Sequence, residues 1–109
     1  MAFQIENLRA LASYRLNNPA DFQQHCKLPN ALIASLRLAR NGLVVHHCNC
    51  AHMQNAVDKP DLDIYPKFGF LLREFPTFQT IANNADIPLF FTCPSKECRL
   101  GLANINNIS

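Results

Sequence analysis

Asn30-Ala31-Leu32-Ile33-Ala34-Ser35-Leu36-Arg37-Leu38-Ala39-Arg40-Asn41-Gly42-Leu43-Val44-Val45 is the stretch on which the fold turns. Leu32, Ile33, Leu36, Ala39 and Leu43 recur at steps of three and four, which predicts an amphipathic helix over 30–41. Asn30 suits the N-cap of such a helix, and Gly42 suits the position just past its end. Leu43-Val44-Val45 then reads as a short strand. It delivers the chain into His46-His47-Cys48-Asn49-Cys50-Ala51-His52, where two thiols and three imidazoles crowd together.

A second cysteine pair comes much later. Ile87-Pro88-Leu89-Phe90-Phe91-Thr92 reads as a strand, and Cys98 to Leu102 reads as its partner. Pro94-Ser95-Lys96-Glu97 supplies the turn between them. The two cysteine pairs are expected to meet and hold one Zn²⁺, because zinc takes four tetrahedral ligands from thiolate and imidazole. The expected ligands are Cys48, Cys50, Cys93 and Cys98. Cys48-x-Cys50 is a tight pair, so His46, His47 or His52 can replace one of its members, and three cysteines plus His47 or His52 is the alternative set. A Cys93–Cys98 disulfide or plain buried thiols also satisfy the spacing. Cys26 is the odd thiol and reads as a core residue, with His25 beside it as a surface or capping residue.

Four cysteines predict a closed, structural site and not an open catalytic one. No Glu follows the histidines as a deaminase pattern requires, and the second pair reads Cys-Pro-x-x-x-Cys. Phosphate-binding Gly-rich loops and the Gly-x-Ser-x-Gly elbow are missing from the sequence. The chain is therefore expected not to be an enzyme.

The flanks complete an α+β expectation for one small, mostly helical domain of 109 residues. A first helix is predicted over 3–16, with Ile5, Leu8, Leu11, Ala12 and Leu16 on its apolar stripe. A second begins at Pro19 under an Asn18 cap, carries Asp21 in its first turn and runs to about Cys26. Residues 53–63 are polar and turn-rich and read as a loop. Residues 66–74 are predicted helical, burying Phe68, Leu71, Leu72 and Phe75, and a further helix is predicted over Thr77–Asn83, burying Phe78 and Ile81.

The order of short helices, a turn, and then Gly42-Leu43-Val44 resembles a winged helix-turn-helix DNA-binding domain over Ala20–Val45. The resemblance implies that helix 30–41 is the recognition helix and that the Gly-Leu-Val begins the wing. It implies contacts to double-stranded DNA from Asn30, Arg37 and Arg40, with Lys27 on phosphate. It also implies a transcription regulator that dimerises. The charge distribution points weakly the same way. Residues 1–54 carry five basic and two acidic side chains, whereas 55–109 carry five and six. The rival reading is a zinc-stabilised adaptor or inhibitor that binds protein through exposed members of Phe68, Phe70, Phe75, Phe78, Phe90 and Phe91.

Composition narrows the setting. Hydrophobic residues make up 49% of the chain and charged residues 17%, which is globular and not disordered. No apolar run approaches the roughly 20 residues that span a bilayer, and no signal peptide is expected from the first residues. The expected location is cytoplasmic, where thiols stay reduced and paired cysteines favour metal.

Overall fold

The computed structural model describes residues 4–48, 50–56, 62, 65–91, 93 and 98. Its frame is a mixed four-stranded sheet with short helices, an α+β arrangement. The strands are β1 (Ala31–Arg37), β2 (Gly42–His47), β3 (Lys67–Leu71) and β4 (Leu89–Phe90), in spatial order β3-β1-β2-β4. β1 pairs antiparallel with both β2 and β3, and β4 adds parallel to β2. The α-helices are α1 (Pro19–His25), α2 (Ala51–Ala56) and α3 (Phe75–Asn84).

The decisive stretch is therefore a strand hairpin and not a helix. Residues 31–36 are buried without a break. Such a run marks a central strand covered on both faces, where side chains pointing either way meet core. The spacing of Leu32, Ile33 and Leu36 fits that run as well as it fits a helix. Asn30 decides against the helix locally, because its φ of 56° is left-handed and an N-cap needs extended backbone. Its carbonyl accepts from the Leu72 amide at 2.9 Å. A 3-10 turn over Leu38–Arg40 and a left-handed Asn41 (φ 54°) bring β2 back alongside β1. The Ala20–Val45 segment thus holds one helix and two strands, and the implied recognition helix is replaced by β1.

Residues 66–74 are also corrected. They form β3 and then a 3-10 turn, Leu72–Glu74, because Phe68 and Phe70 alternate onto one sheet face opposite Ala34 and Leu32. Glu74 Oε1 accepts from the Leu71 amide at 2.7 Å and ends the strand. The loop expected at 53–63 begins inside α2. The return strand expected from Cys98 is not formed at its first residue, which has helical backbone. β4 pairs with β2 instead, and residues 94–97 and 99–102 of the expected hairpin lie outside the described residues.

Other expectations hold. α1 starts at Pro19 with Asn18 Oδ1 accepting from the Asp21 amide at 2.9 Å. The first helix is present as a 3-10 stretch, Ile5–Tyr14, kinked at Leu11. Leu8 and Leu11 are buried there, while Ile5 is exposed.

Alternation assigns the faces. Leu32, Ala34 and Leu36 share one face with Leu43, Val45, Phe68 and Phe70. Phe70 stacks on Phe78 of α3 at 4.1 Å, and Tyr14 meets Phe78 edge-on at 5.2 Å. Four of the six phenylalanines of the second half (Phe68, Phe70, Phe75, Phe78) are buried, Phe90 is half-buried and Phe91 is exposed. The opposite face carries Ile33, His46 and Gly69. There His25, at the end of α1, lies directly over Gly69 and its Nε2 meets the Leu32 carbonyl at 2.9 Å. The outer edge of β3 is covered by the chain at Arg15–Leu16, through a bridge to Phe68 and a bond from the Leu16 amide to the Lys67 carbonyl at 3.0 Å. Among the described residues, no helix is long and apolar enough to cross a membrane.

Candidate metal centre

β2 sets up the site by its parity. His46 and His47 are consecutive on a strand, so their side chains leave opposite faces of the sheet. His46 is buried on the face of Ile33 and Gly69, and His47 is half-buried. After β2 the chain turns sharply. The Cys50 amide donates to the His47 carbonyl at 3.0 Å, and the Cys50 carbonyl accepts from Met53 and Gln54 at the start of α2. Gln54 Nε2 reaches back to the Cys48 carbonyl at 2.8 Å. These bonds hold the Cys50 thiol under the His46 ring. Cys93 and Cys98 arrive from the segment after β4.

His46, Cys50, Cys93 and Cys98 converge, with their ligand atoms all within 4.8 Å of one another. The His46 Nδ1 lies 3.6 Å from Cys50 Sγ and 3.9 Å from Cys98 Sγ. A tetrahedral Zn²⁺ with ordinary Zn–S and Zn–N bonds holds its nitrogen and sulfur about 3.6 Å apart and its sulfurs about 3.8 Å apart. The 3.6 Å from His46 Nδ1 to Cys50 Sγ matches that nitrogen–sulfur separation, and the 3.9 Å to Cys98 Sγ lies close to it. None of the five cysteines is joined in a disulfide. Three soft sulfurs and one imidazole, all buried, form a donor set suited to zinc. The His47 amide also donates to Cys98 Sγ at 3.3 Å, the kind of second contact that orients a thiolate ligand and spreads its charge.

Three of the four expected cysteines are therefore brought together, and the fourth is not. Cys48 sits at the end of the β1–β2 ladder, its amide donating to the Ala31 carbonyl at 3.1 Å. Cys48 is not among the four converging donors, and a hydrogen bond with the Cys26 thiol governs its own. The Cys48 thiol is pushed up from its ordinary value, first by that hydrogen bond, then by burial and by the neighbouring sulfur charges of Cys26, Cys50 and Cys98. The same bond lowers Cys26, against the opposing effect of its own burial. His46, one of the three histidines able to replace a member of that pair, stands in the cluster in place of Cys48, and the alternative set with His47 or His52 is not the one brought together. The His47 side chain is turned to the other face, and the His52 side chain lies outside the described residues. The signal for His46 was the strand itself: extending β2 to residue 47 separates the two histidines by face.

Of the residues expected to touch DNA, Lys27 and Asn30 precede β1, whereas Arg37 and Arg40 lie at and beyond its other end. Lys27, Asn30, Arg37 and Arg40 are all exposed. However, Asn30 precedes β1 and Arg37 ends it, so about 23 Å of strand separates them. Arg40 lies over the Phe90 ring of β4 at 6.0 Å. No family model matches the chain, and comparison with known proteins and with solved structures gave no match.

Proposed function

We propose that this chain is a zinc-binding, non-catalytic domain in which His46, Cys50, Cys93 and Cys98 hold one structural Zn²⁺. The observation that carries the reading is the convergence of four buried donors from β2, the β2–α2 turn and the C-terminal segment onto one point. The ion would join residues 46 and 50 to residues 93 and 98, clipping the end of the chain to the middle of the sheet. Four protein ligands fill a tetrahedral sphere, and no ligand position is left for water or substrate. The work of such a domain is to present a metal-fixed surface to a partner.

The test is zinc content of the protein purified without added metal, with His46→Ala, Cys50→Ser and Cys48→Ser beside it. One zinc per chain is expected in the parent and in Cys48→Ser. His46→Ala and Cys50→Ser should lose zinc and folded circular-dichroism signal together. A parent without metal, or a Cys48→Ser variant as depleted as Cys50→Ser, overturns the assignment.

A further inference from the structure

The rim of β3, which β1 separates from β2 and its metal ligands, carries a hollow of about 330 Å³. The Ile5–Tyr14 helix forms one wall, and Pro66, just ahead of β3, forms the other. A 3-10 helix repeats every three residues, so side chains three apart stand in line. Glu6 and Arg9 are aligned in this way, and Ala12 and Arg15 continue the line past the kink at Leu11; all four border the hollow. Ile5, Leu8 and Pro66 make its apolar floor. Leu8 and Pro66 are buried, but Ile5 is 59% exposed, an apolar side chain that the fold leaves uncovered. Arg15 is held in place. Its backbone bridges to Phe68, and its guanidinium donates to the Leu62 carbonyl at 3.4 Å, which leaves further N–H donors for a ligand. Among the described residues, no ion pair joins Glu6 to Arg9 or Arg15.

We propose that this hollow binds a free medium-chain fatty acid, its carboxylate held by Arg9 and Arg15 and its alkyl chain laid over Ile5, Leu8 and Pro66. The volume falls at the small end of ligand sites, which run from roughly 300 to 1,000 Å³. Charge selects the head group. Two arginines less one glutamate leave +1 around the hollow, which complements a monoanion. A carboxylate carries one negative charge and matches the planar guanidinium fork. A phosphate monoester carries nearly two and meets Glu6 as well. The floor selects the body. A peptide's amides would be stripped of water against Ile5, Leu8 and Pro66, a cost that an alkyl chain does not incur.

The experiment titrates the purified full chain with hexanoate, octanoate, decanoate and decanol, following backbone amide shifts by NMR. Decanoate is expected to saturate at one per chain, with the shifts centred on residues 5–16 and Lys67. Affinity should rise about two- to fourfold per added methylene, fourfold being the value for full burial. Decanol, which has the chain without the charge, should bind about tenfold more weakly. Arg9→Ala, at an exposed side chain, should weaken decanoate about tenfold and leave the spectrum of the free protein otherwise unchanged. Glu6→Gln should tighten it about twofold. Equal affinity for decanol and decanoate, an unchanged affinity in Arg9→Ala, shifts centred elsewhere, or no saturation at millimolar decanoate overturns the proposal. A short peptide ending in a leucine carboxylate that displaces decanoate at lower concentration also overturns it, because the occupant would then be a protein chain end.

Discussion

Gly69→Ala is the substitution whose outcome the structure constrains most tightly. A Cβ at Gly69 would lie 2.8 Å from His25 Cδ2 and Nε2 and 2.9 Å from Cε1. Non-bonded carbons rest at about 3.5–4.0 Å, so the imidazole must retreat by about 0.7 Å. That retreat stretches the contact from His25 Nε2 to the Leu32 carbonyl, now 2.9 Å, beyond hydrogen-bonding range. The lost bond costs about 1 kcal/mol, and repacking the ring costs roughly 1–2 kcal/mol more. Removing a glycine from a strand interior returns about 0.5–1 kcal/mol. The net expectation is about 1–2 kcal/mol of destabilisation, read as a lower urea midpoint at unchanged slope. In a His25→Ala background the obstacle is gone, and the same substitution should stabilise by about 0.5 kcal/mol. The coupling between the two sites is then about 2 kcal/mol. Equal effects of Gly69→Ala in both backgrounds would refute the packing of His25 on β3, and with it the placement of Cys26.

Gly42→Ala should be costlier, because its Cβ would meet the Pro88 carbonyl oxygen at 2.6 Å, the same oxygen that accepts from the Leu43 amide. Backbone cannot step aside as a ring can, so about 2–3 kcal/mol and loss of amide protection at Leu43 are expected in hydrogen exchange. Phe78→Ala removes the ring stacked on Phe70 and should cost about 3–5 kcal/mol in chemical denaturation. Zinc affinity should fall with pH at about tenfold per displaced proton per unit, since each thiol must lose its proton to bind; a competitive chelator titration across the acid range reads the slope, and a flat profile would exclude thiolate ligation.

Local chemistry was enough for several elements. Asn18-Pro19 with Asp21 specifies the start of α1 through capping and a fixed proline φ, and the structure keeps that start. The apolar β2 run was legible as well, being too short for a helix. The stretch from Asn30 to Arg37 was not, because its six apolar-to-small residues suit a buried strand and a helix alike. The choice belongs to distant partners, β3 above all, which lies some thirty residues further on. Phe68 and Phe70 were misread for the matching reason: their alternation shows only once β1 is there to be paired. At the candidate metal centre, cysteine spacing pointed to Cys50, Cys93 and Cys98, which the structure brings together with His46. The exchange of Cys48 for His46 depends on which residue of β2 opposes Ile33, a register that spacing in one dimension does not encode.

The sheet's two outer strands bear on how the domain meets other molecules. β4 offers two residues, and β3 is covered along part of its rim by Arg15 and Leu16. An incoming strand needs several successive unpaired amides and carbonyls to dock, as in peptide capture by strand addition. Among the described residues, β4 is too short for that ladder, and Arg15 and Leu16 interrupt it along β3. A molecule meeting either rim would therefore encounter side chains before it found a run of unpaired backbone groups.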